Sequence, residues 1–302
     1  MNTEMLTTED LAEYLRINKN QIYRLIKRKK LPATRVTGKW LFPKELIDEW
    51  IIDSAKERVV GKQAPISLDR QIVVAGSNDL ALEFLVKNAN IRNPGVTVSL
   101  SNIGSLAGLV ALRNGTCHIA ATHLLDAETG EYNKPYIKNN FSDFKVTILN
   151  LVHREQGIIV KRGNPLGVKT LEDVANKKAV FINRQNASGT RVLLDYKFKE
   201  NNIDPSDISG YTTVAHTHME VALEVLRGSA DVGIAIRAAA NLLGLDFIPL
   251  ATERFDLIIP NEYCSTEAVR ALCGVLSSDE FKIRAFQMGG YQTQDTGKIV
   301  YE

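Results

Sequence analysis

The stretch FINRQNASGTRVLLD, from Phe181 to Asp195, decides the fold of most of this chain. Its apolar start predicts the end of a buried strand, and an apolar helical pattern begins at Val192. Between them lies a turn of small and polar residues, from Asn186 to Thr190. A strand, a small-residue turn and a helix start direct free backbone N–H groups and a hydroxyl towards one point. The stretch therefore predicts a place for an anion.

Length and composition are those of an ordinary globular protein with two or three compact units: 302 residues, 44% of them hydrophobic and 24% charged. The formal charge of +2 predicts no strongly polyanionic partner for the protein as a whole. The charge is unevenly distributed, because the segment from Arg16 to Lys30 carries seven basic residues and no acidic one. We therefore expect a local basic face.

The cysteines and the lack of a targeting signal indicate the cellular compartment in which the protein is expected. Cys117, Cys264 and Cys273 are far apart, odd in number and without C-x-x-C spacing, which argues against a disulfide framework and a thiolate metal site. The N-terminus lacks a basic segment followed by an apolar run, and no stretch approaches the roughly 18 apolar residues needed to cross a bilayer. We expect a cytoplasmic protein without a membrane partner.

Three short helices and a hairpin are predicted in the first 53 residues. Thr7 or Thr8 can cap the first helix, and Asn18 can cap the second. The segment from Leu31 to Phe42 predicts a hairpin. Pro43 can begin the third helix.

This order of elements resembles the excisionase-type, MerR-like winged helix-turn-helix. The resemblance covers residues 5–53 and rests on LTTEDLAEYLRINKNQIYRLIKRKKLPATRVTGKWLFPKELIDEWI. It implies a DNA-binding domain over residues 1–53, whose basic second helix enters the major groove of double-stranded DNA while the wing reaches phosphates. The alternative is a basic face on a protein-binding module. The predicted DNA-binding residues are Asn18, Lys19, Asn20, Gln21, Tyr23, Arg24, Lys27, Arg28, Arg35 and Lys39.

Residues 54–69 predict a linker, which can continue the preceding helix for a turn or two. From Arg70 onward strands and helices alternate, which predicts an α/β domain with a parallel sheet covered on both faces. Ligands of such sheets bind beyond the carboxyl ends of the strands. Ser77, Ser105 and Thr122 are predicted to lie at that edge.

Two later segments, 148–165 and 247–263, share one pattern: an apolar strand, a charged pair and a second apolar strand. They predict two crossover strands between the lobes of a bilobed ligand-binding domain over residues 70–302. The predicted lobe 1 spans about 70–155 and 256–302, and the predicted lobe 2 spans about 156–255.

The bilobed pattern resembles the type II periplasmic-binding-protein fold, in the branch related to molybdate- and tungstate-binding proteins. The motifs that carry the resemblance are VAGSND, NIGSLAGL, THLLDAETGEYN, REQGIIVKRGNPLG, FINRQNASGTRVLLD and HTHMEVALEVLRGSADVGIAIRAAA. The resemblance implies anion contacts at the turns VAGS, NIGS and ASGT, which contain Ser77, Ser105 and Ser188. N-capping of a helix is the alternative role for each of these serines.

A tetrahedral dianion such as molybdate offers only hydrogen-bond acceptors near neutral pH, so its site needs donors. Helix N-termini supply such donors without a formal charge. Asp79 departs from this pattern, because a carboxylate repels a dianion unless it turns away or caps the backbone. The predicted ligand-binding residues are Ser77, Asn78, Ser105, Thr122, Arg184, Ser188, Gly189, Thr190, Thr217 and His218.

Together these patterns predict a one-component transcription regulator that senses molybdate or tungstate in a cleft between its lobes. We expect it to bind operator DNA as a homodimer, because one short recognition helix makes limited contact. A small organic ligand in the same architecture is the alternative. A metal-dependent enzyme is less favoured, because the five histidines lack an H-E-x-x-H or comparable spacing. No catalytic residue, cofactor or metal cation is predicted.

Overall fold

The computed structural model describes residues 4–27, 31–36, 38–59, 69–126, 128–141 and 145–301. The chain forms two compact units, Met1–Ile66 and Ser67–Glu302. Within the described residues, no helix combines the length and the apolar character that a membrane crossing requires.

In the described residues of the first unit, three helices pack on a three-stranded antiparallel sheet with the strand order β1-β3-β2. Its core is built around Leu11, Ile22, Phe42 and Ile47, which are completely buried. The elements are β1 (Met5–Leu6), α1 (Thr8–Tyr14), α2 (Lys19–Lys27), β2 (Thr34–Val36), β3 (Lys39–Pro43) and α3 (Lys44–Val59).

The helix starts of this unit follow the predicted capping chemistry, with one correction. The Thr7 hydroxyl accepts a hydrogen bond from the backbone N–H of Asp10, whose carboxylate in turn accepts from the N–H of Thr7. Pro43, predicted to begin the third helix, is instead the last residue of β3. The helix starts at Lys44 and continues to Val59, so it extends into the segment predicted as a linker; residues 60–68 of that segment lie outside the described residues.

The second unit is a mixed α/β domain of ten strands and nine helices, in addition to two short 3-10 helices, within the described residues. Its strands are β4 (Gln71–Gly76), β5 (Thr97–Asn102), β6 (Ile119–Thr122), β7 (Val146–Val160), β8 (Phe181–Arg184), β9 (Val214–Ala215), β10 (Val232–Ile236), β11 (Asp246–Pro260), β12 (Tyr291–Gln292) and β13 (Ile299–Tyr301). Its helices are α4 (Leu80–Arg92), α5 (Ser105–Arg113), α6 (Lys134–Asn140), α7 (Leu171–Asn176), α8 (Gly189–Glu200), α9 (His218–Arg227), α10 (Arg237–Leu243), α11 (Glu267–Leu276) and α12 (Asp279–Met288).

Two long strands join two parallel sheets into one. The strand order is β5-β4-β6-β11-β7-β10-β8-β9, with β12 and β13 paired to β7. Strands β4, β5 and β6 are parallel and form the sheet of lobe 1, while β8, β9 and β10 are parallel and form the sheet of lobe 2. Strands β7 and β11 run antiparallel to each other through both lobes. This arrangement confirms the predicted bilobed α/β fold with two crossover strands.

Small residues bring the ends of β4 and α5 together in lobe 1. A Cβ on Gly76 would lie 2.1 Å from the carbonyl oxygen of Ala121, and a Cβ on Gly108 would lie 2.7 Å from the Cα of Gly76. Only glycine permits such close backbone contact at these two positions. The contact places Ser77, which follows β4, beside Ser105 at the start of α5.

Candidate anion site at the contact between the lobes

Two serines and a histidine form a buried cluster on lobe 1. The hydroxyl oxygens of Ser77 and Ser105 are 2.7 Å apart, and Nε2 of His123 is 2.9 Å from the Ser77 hydroxyl. The backbone N–H of His123 donates to the Ser105 hydroxyl at 3.2 Å. All three side chains are buried, so their hydrogen bonds are made within the protein.

The crossover strands place a charged pair against this cluster. Nδ1 of His123 is 2.8 Å from a carboxylate oxygen of Glu253, and the other oxygen accepts a hydrogen bond from Nε of Arg154 at 2.5 Å. Arg154 also donates to Asp79 at 2.6 Å, and the Tyr291 hydroxyl donates to the same carboxylate at 2.8 Å. Since Arg154 has 0% exposure, both ion pairs are shielded from solvent.

These contacts explain why Asp79 is compatible with an anion site. Its carboxylate pairs with Arg154 and accepts a hydrogen bond from the N–H of Leu82, so Asp79 is the N-cap of α4. Its carboxylate therefore pairs with a guanidinium that it shares with Glu253, and it is turned towards a helix start.

Lobe 2 contributes a second buried arginine. Arg184, the last residue of β8, donates from Nη2 to the carbonyl oxygen of His216 at 2.9 Å and from Nε to the side chain of Gln185 at 3.3 Å. Among the described residues, no carboxylate forms a salt bridge with it. Burial lowers the pKa of Arg184 to about 10, and repulsion from Arg154 adds to this effect. The guanidinium remains protonated near neutral pH.

The two lobes meet at the N-termini of four helices. The backbone N–H of His218, the first residue of α9, donates to Oδ1 of Asn78 at 3.3 Å, immediately before α4. Gly189, the first residue of α8, lies against His123, because an added Cβ would be 2.4 Å from the Cε1 atom of that ring. The first residue of α5 is Ser105, which belongs to the cluster already described. The positive ends of four helix dipoles therefore converge around residues 77–78.

Several buried polar atoms at this contact lack a hydrogen-bond partner. In the described part of the chain they include Nη2 of Arg154, Nη1 of Arg184, Nδ1 of His218 and Oε1 of Gln156. Arg154 also donates to the carbonyl oxygen of Asn78, which links it to the same contact as His218. Unpartnered buried donors of charged groups are costly, and a bound anion would supply their acceptors.

Both imidazoles of the site are neutral near pH 7 in this structure. Burial lowers the pKa of His123, although the adjacent Glu253 opposes the shift. Burial also lowers the pKa of His218 well below its usual value, and the nearby Arg184 and Arg154 lower it further. Burial alone would raise the pKa of Glu253, but the charge of Arg154 and the hydrogen bonds from His123 and Gln156 lower it. The site therefore holds ionised arginines and the ionised Glu253 carboxylate beside neutral histidines.

Other predicted ligand residues make bonds within the protein. Ser188 accepts from the N–H of Arg191 and caps α8, while Thr217 accepts from the N–H of Glu220 and caps α9. The Thr122 hydroxyl donates to Asn133 at 2.8 Å inside lobe 1. The side chain of Asn78 bridges Glu83 and the backbone of His218. Thr190 is buried in the first turn of α8.

The sequence prediction missed Arg154, Glu253, Gln156 and His123. A signal for two of them was present, because both crossover segments contain a charged pair between apolar strands. The pairing of β7 with β11 places Arg154 directly opposite Glu253. Opposed charges on two predicted crossover strands are therefore a usable sign of a buried ion pair.

In the first unit, the predicted DNA-binding face is exposed. Nine of the ten predicted residues are described and exposed, whereas Arg28 lies outside the described residues. Asn18 and Gln21 exchange two hydrogen bonds of 3.0 Å, each side chain accepting from the other's backbone N–H, so both cap α2. Lys19 pairs with Glu9. Arg24 and Lys27, in the last turn of α2, have exposed side chains and can contact phosphates.

The hairpin carries a second basic position of this face. Arg35 donates from Nε to the carbonyl oxygen of Gly38 at 3.2 Å, and its guanidinium lies 5.7 Å from the centre of the Trp40 ring. Lys39 is exposed on the neighbouring strand. The described contacts hold Arg35 close to the hairpin, which fits a phosphate contact by a wing.

Two family models match separate parts of the chain. Residues 5–53 match a helix-turn-helix domain, and residues 86–277 match the PBP superfamily domain. The second match covers more than half of the chain. The chain belongs to the PBP superfamily. A relative with the same extent is the uncharacterized protein YvgK of Bacillus subtilis (strain 168), 31% identical over 308 residues, which span 99% of each chain.

Two solved structures share the PBP-superfamily fold with the second unit. A phosphate ABC transporter substrate-binding protein from Clostridium perfringens, with bound phosphate, superposes with a TM-score of 0.55 at 12% identity, over 72% of this chain and 97% of that one. The tungstate ABC transporter structure from Geobacter sulfurreducens gives a TM-score of 0.52 at 17% identity, over 71% and 97% of the chains. The chain thus combines a helix-turn-helix domain with a PBP-superfamily domain, the composition of a DNA-binding regulator with a ligand-binding domain.

Proposed function

We propose that this protein is a one-component transcription regulator that binds molybdate or tungstate at the contact between its two lobes. Binding of the oxyanion changes the affinity of the helix-turn-helix domain for operator DNA. A ligand can change that affinity only if it binds the two states of the protein with different affinities, typically by about 1 to 3 kcal/mol.

The observation that carries the proposal is the pair of buried, unpartnered guanidinium donors, Nη2 of Arg154 and Nη1 of Arg184. They come from two different lobe surfaces and lie where four helix N-termini converge. A compact anion with acceptors on all sides satisfies such an arrangement better than a neutral ligand. The net charge of the site is small, because the two carboxylates that pair with Arg154 offset the charges of Arg154 and Arg184. Hydrogen bonds and helix dipoles therefore provide most of the selectivity.

The solved structures with this fold support an oxyanion in particular. One of them contains bound phosphate and the other belongs to a tungstate transporter. Because both structures have low sequence identity to this chain, they support a shared fold but assign no role to any residue of this chain. Molybdate and tungstate have nearly the same size and charge, so the two anions remain joint candidates.

A small organic acid that carries a hydroxyl group is the second candidate. Oε1 of Gln156 is a buried acceptor without a donor, while its Nε2 donates to Glu253 at 2.7 Å. A fully deprotonated tetrahedral oxyanion has no proton to offer this acceptor, whereas a hydroxy acid does.

The proposed function also implies a compartment and an assembly. A regulator with a helix-turn-helix domain acts where the DNA is, so we place the protein in the cytoplasm. Two copies are needed to read two half-sites of an operator, so we propose a homodimer. The fold is that of binding proteins, and the proposal requires no catalytic step.

The thermal midpoint of the full chain tests the ligand. It is measured with molybdate, tungstate, sulfate, phosphate, citrate or malate, each against sodium chloride at equal ionic strength. Ligand at about a hundred times its dissociation constant adds about 2.7 kcal/mol to the stability of the domain that binds it. A shift with molybdate or tungstate alone supports the proposal. A shift only with citrate or malate supports the organic acid, and no shift with any anion contradicts both.

A further inference from the structure

The hydrogen-bond directions in the Ser77–Ser105–His123 cluster follow from the position of Glu253. The ionised carboxylate of Glu253 accepts only, so Nδ1 of His123 must carry the proton between them. In the neutral imidazole, Nε2 then has no proton and acts as an acceptor. The contact of 2.9 Å between Nε2 and the Ser77 hydroxyl therefore requires that Ser77 donates.

The same reasoning determines the direction of the hydrogen bond that the Ser105 hydroxyl makes. Because the proton of Ser77 points to His123, the contact of 2.7 Å between the two serines requires that Ser105 donates to Ser77. Ser105 in turn accepts from the backbone N–H of His123. Each hydroxyl has one proton, and both protons are committed inside the protein. In this state neither serine can donate to an anion.

Addition of one proton to His123 reverses these directions. A proton from solvent binds at Nε2, and the imidazolium then donates to the Ser77 oxygen. One serine proton still bridges the 2.7 Å contact between the two hydroxyls, and the other is released from the internal chain and can point to an oxyanion. No covalent bond changes apart from the new N–H bond, and the charge of the site increases by one.

We propose that His123 is the positioning residue that couples oxyanion binding to the uptake of one proton, because only its protonated form frees one proton of the Ser77–Ser105 pair for the anion. This inference rests on the proposed oxyanion-binding function of the same site. It assigns to the Ser77–Ser105 pair one hydrogen bond to the anion, which depends on the protonation state of the ring beside the pair.

The charged groups around His123 are compatible with this role. Glu253 on β11 pairs with Nδ1, Arg154 on β7 pairs with Glu253, and Arg184 at the end of β8 and His218 at the start of α9 are near enough to influence the imidazoles electrostatically. Burial and the two arginines keep His123 neutral before an anion binds. A dianion at the site favours the protonated ring, because opposite charges attract strongly in a buried environment.

A measurable pH dependence follows. In the pH range where binding requires the uptake of one proton, the dissociation constant for molybdate increases roughly tenfold for each unit that the pH rises. The effect belongs to the protein, because molybdate does not itself change protonation between pH 6 and 8.

Calorimetric titration of the full chain with sodium molybdate measures the proton directly. Titrations at one slightly alkaline pH are made in two buffers that differ in ionisation enthalpy, and the difference in heat gives the number of protons taken up. We expect about one proton per molybdate in the wild-type protein. Binding without proton uptake overturns the role of His123 and leaves the oxyanion regulator intact. Absence of binding of molybdate and tungstate at every pH overturns the proposed function and this inference together.

Three histidine variants show which imidazole takes up the proton. The side-chain amide of His123→Gln can donate to Ser77 at any pH, so we expect binding without proton uptake and without the tenfold pH slope. His216→Gln, at an exposed position near the same site, is the matched control and keeps the uptake. His218→Gln tests the other buried imidazole; loss of uptake there, with uptake retained in His123→Gln, contradicts the assignment. The wild-type measurement decides the coupling even if a buried variant fails to fold.

Discussion

The two proposed binding surfaces use basic residues in opposite ways. On the helix-turn-helix unit, Arg24 and Lys27 are exposed on a short helix. At the contact between the lobes, Arg154 and Arg184 are buried, and Arg154 is held by two carboxylates. An exposed cation is free to meet phosphates along a flexible and extended partner. A buried cation needs a partner of fixed size at a fixed place. We propose that basic side chains contact DNA on the first surface and a small anion on the second.

The largest expected difference between the two surfaces concerns stability. Arg154→Ala leaves Asp79 and Glu253 buried without their cation, which costs about 3–5 kcal/mol of the free energy of unfolding. Arg24→Ala, at an exposed position, changes it by less than about 0.5 kcal/mol. Urea denaturation of both variants measures the contrast. Similar small losses in both would show that the buried network does not stabilise the domain.

The next effect concerns DNA. Arg24→Ala is expected to weaken DNA binding by about 1–3 kcal/mol, because an exposed guanidinium at the proposed groove or backbone contact is lost. Fluorescence anisotropy with labelled operator DNA, at several salt concentrations, measures the affinity and its salt dependence. The affinity for molybdate should stay that of the wild type. A variant that loses molybdate affinity and keeps DNA affinity would reverse the assignment of the two surfaces.

Ser188→Ala should produce a smaller, mixed effect. Its hydroxyl caps α8, so its removal costs about 1 kcal/mol of the free energy of unfolding. We also expect weaker molybdate binding, because the cap holds the turn that faces lobe 1, while DNA binding without ligand should not change. Thermal unfolding and calorimetry separate the two effects, and Thr170→Ala, which removes the cap of α7, is the control for capping alone. Equal molybdate affinity in both variants would exclude Ser188 from the site.

The smallest expected effect is the pH dependence of stability. His123 and His218 have a pKa below the usual 6.5 in the folded chain, so the unfolded chain binds more protons near that pH. The free energy of unfolding therefore falls as the pH decreases from 7 to 6, by less than about 1 kcal/mol for each imidazole. The double variant His123→Gln, His218→Gln should show a flatter pH profile in denaturant titrations. If the free energy of unfolding instead rose as the pH decreased from 7 to 6, this would contradict the neutral state of both rings.

Local features of both units were predictable from the sequence. The capping residues Thr7, Asn18 and Ser188 do cap helices in the structure, because a short polar side chain before an apolar helical pattern is a local signal. The crossover strands were predictable from the repeated apolar pattern in residues 148–165 and 247–263. These features depend on neighbours in sequence, and a single chain contains that information.

The composition of the lobe contact was not predictable in the same way. Arg154 and Glu253 are separated by 99 residues, and their pairing depends on the register of two crossover strands. The hydroxyl chain from Ser105 to His123 depends on the close approach of β4, α5 and β6. The sequence indicated which turns carry hydroxyls, but it did not show that those hydroxyls bond to each other. Long-range packing decides which polar groups remain for a ligand.

We propose that a buried arginine at the lobe contact binds a small oxyanion, and calorimetric titration with molybdate tests this binding most directly. The wild-type chain is compared with Arg184→Gln and with the control Arg191→Gln, whose guanidinium pairs with Asp195 one turn further along α8. We predict that Arg184→Gln weakens molybdate binding by roughly ten- to a hundredfold, as expected for one charge-assisted hydrogen bond. The control should bind as the wild type does. A folded Arg184→Gln variant with wild-type affinity would contradict the proposed site.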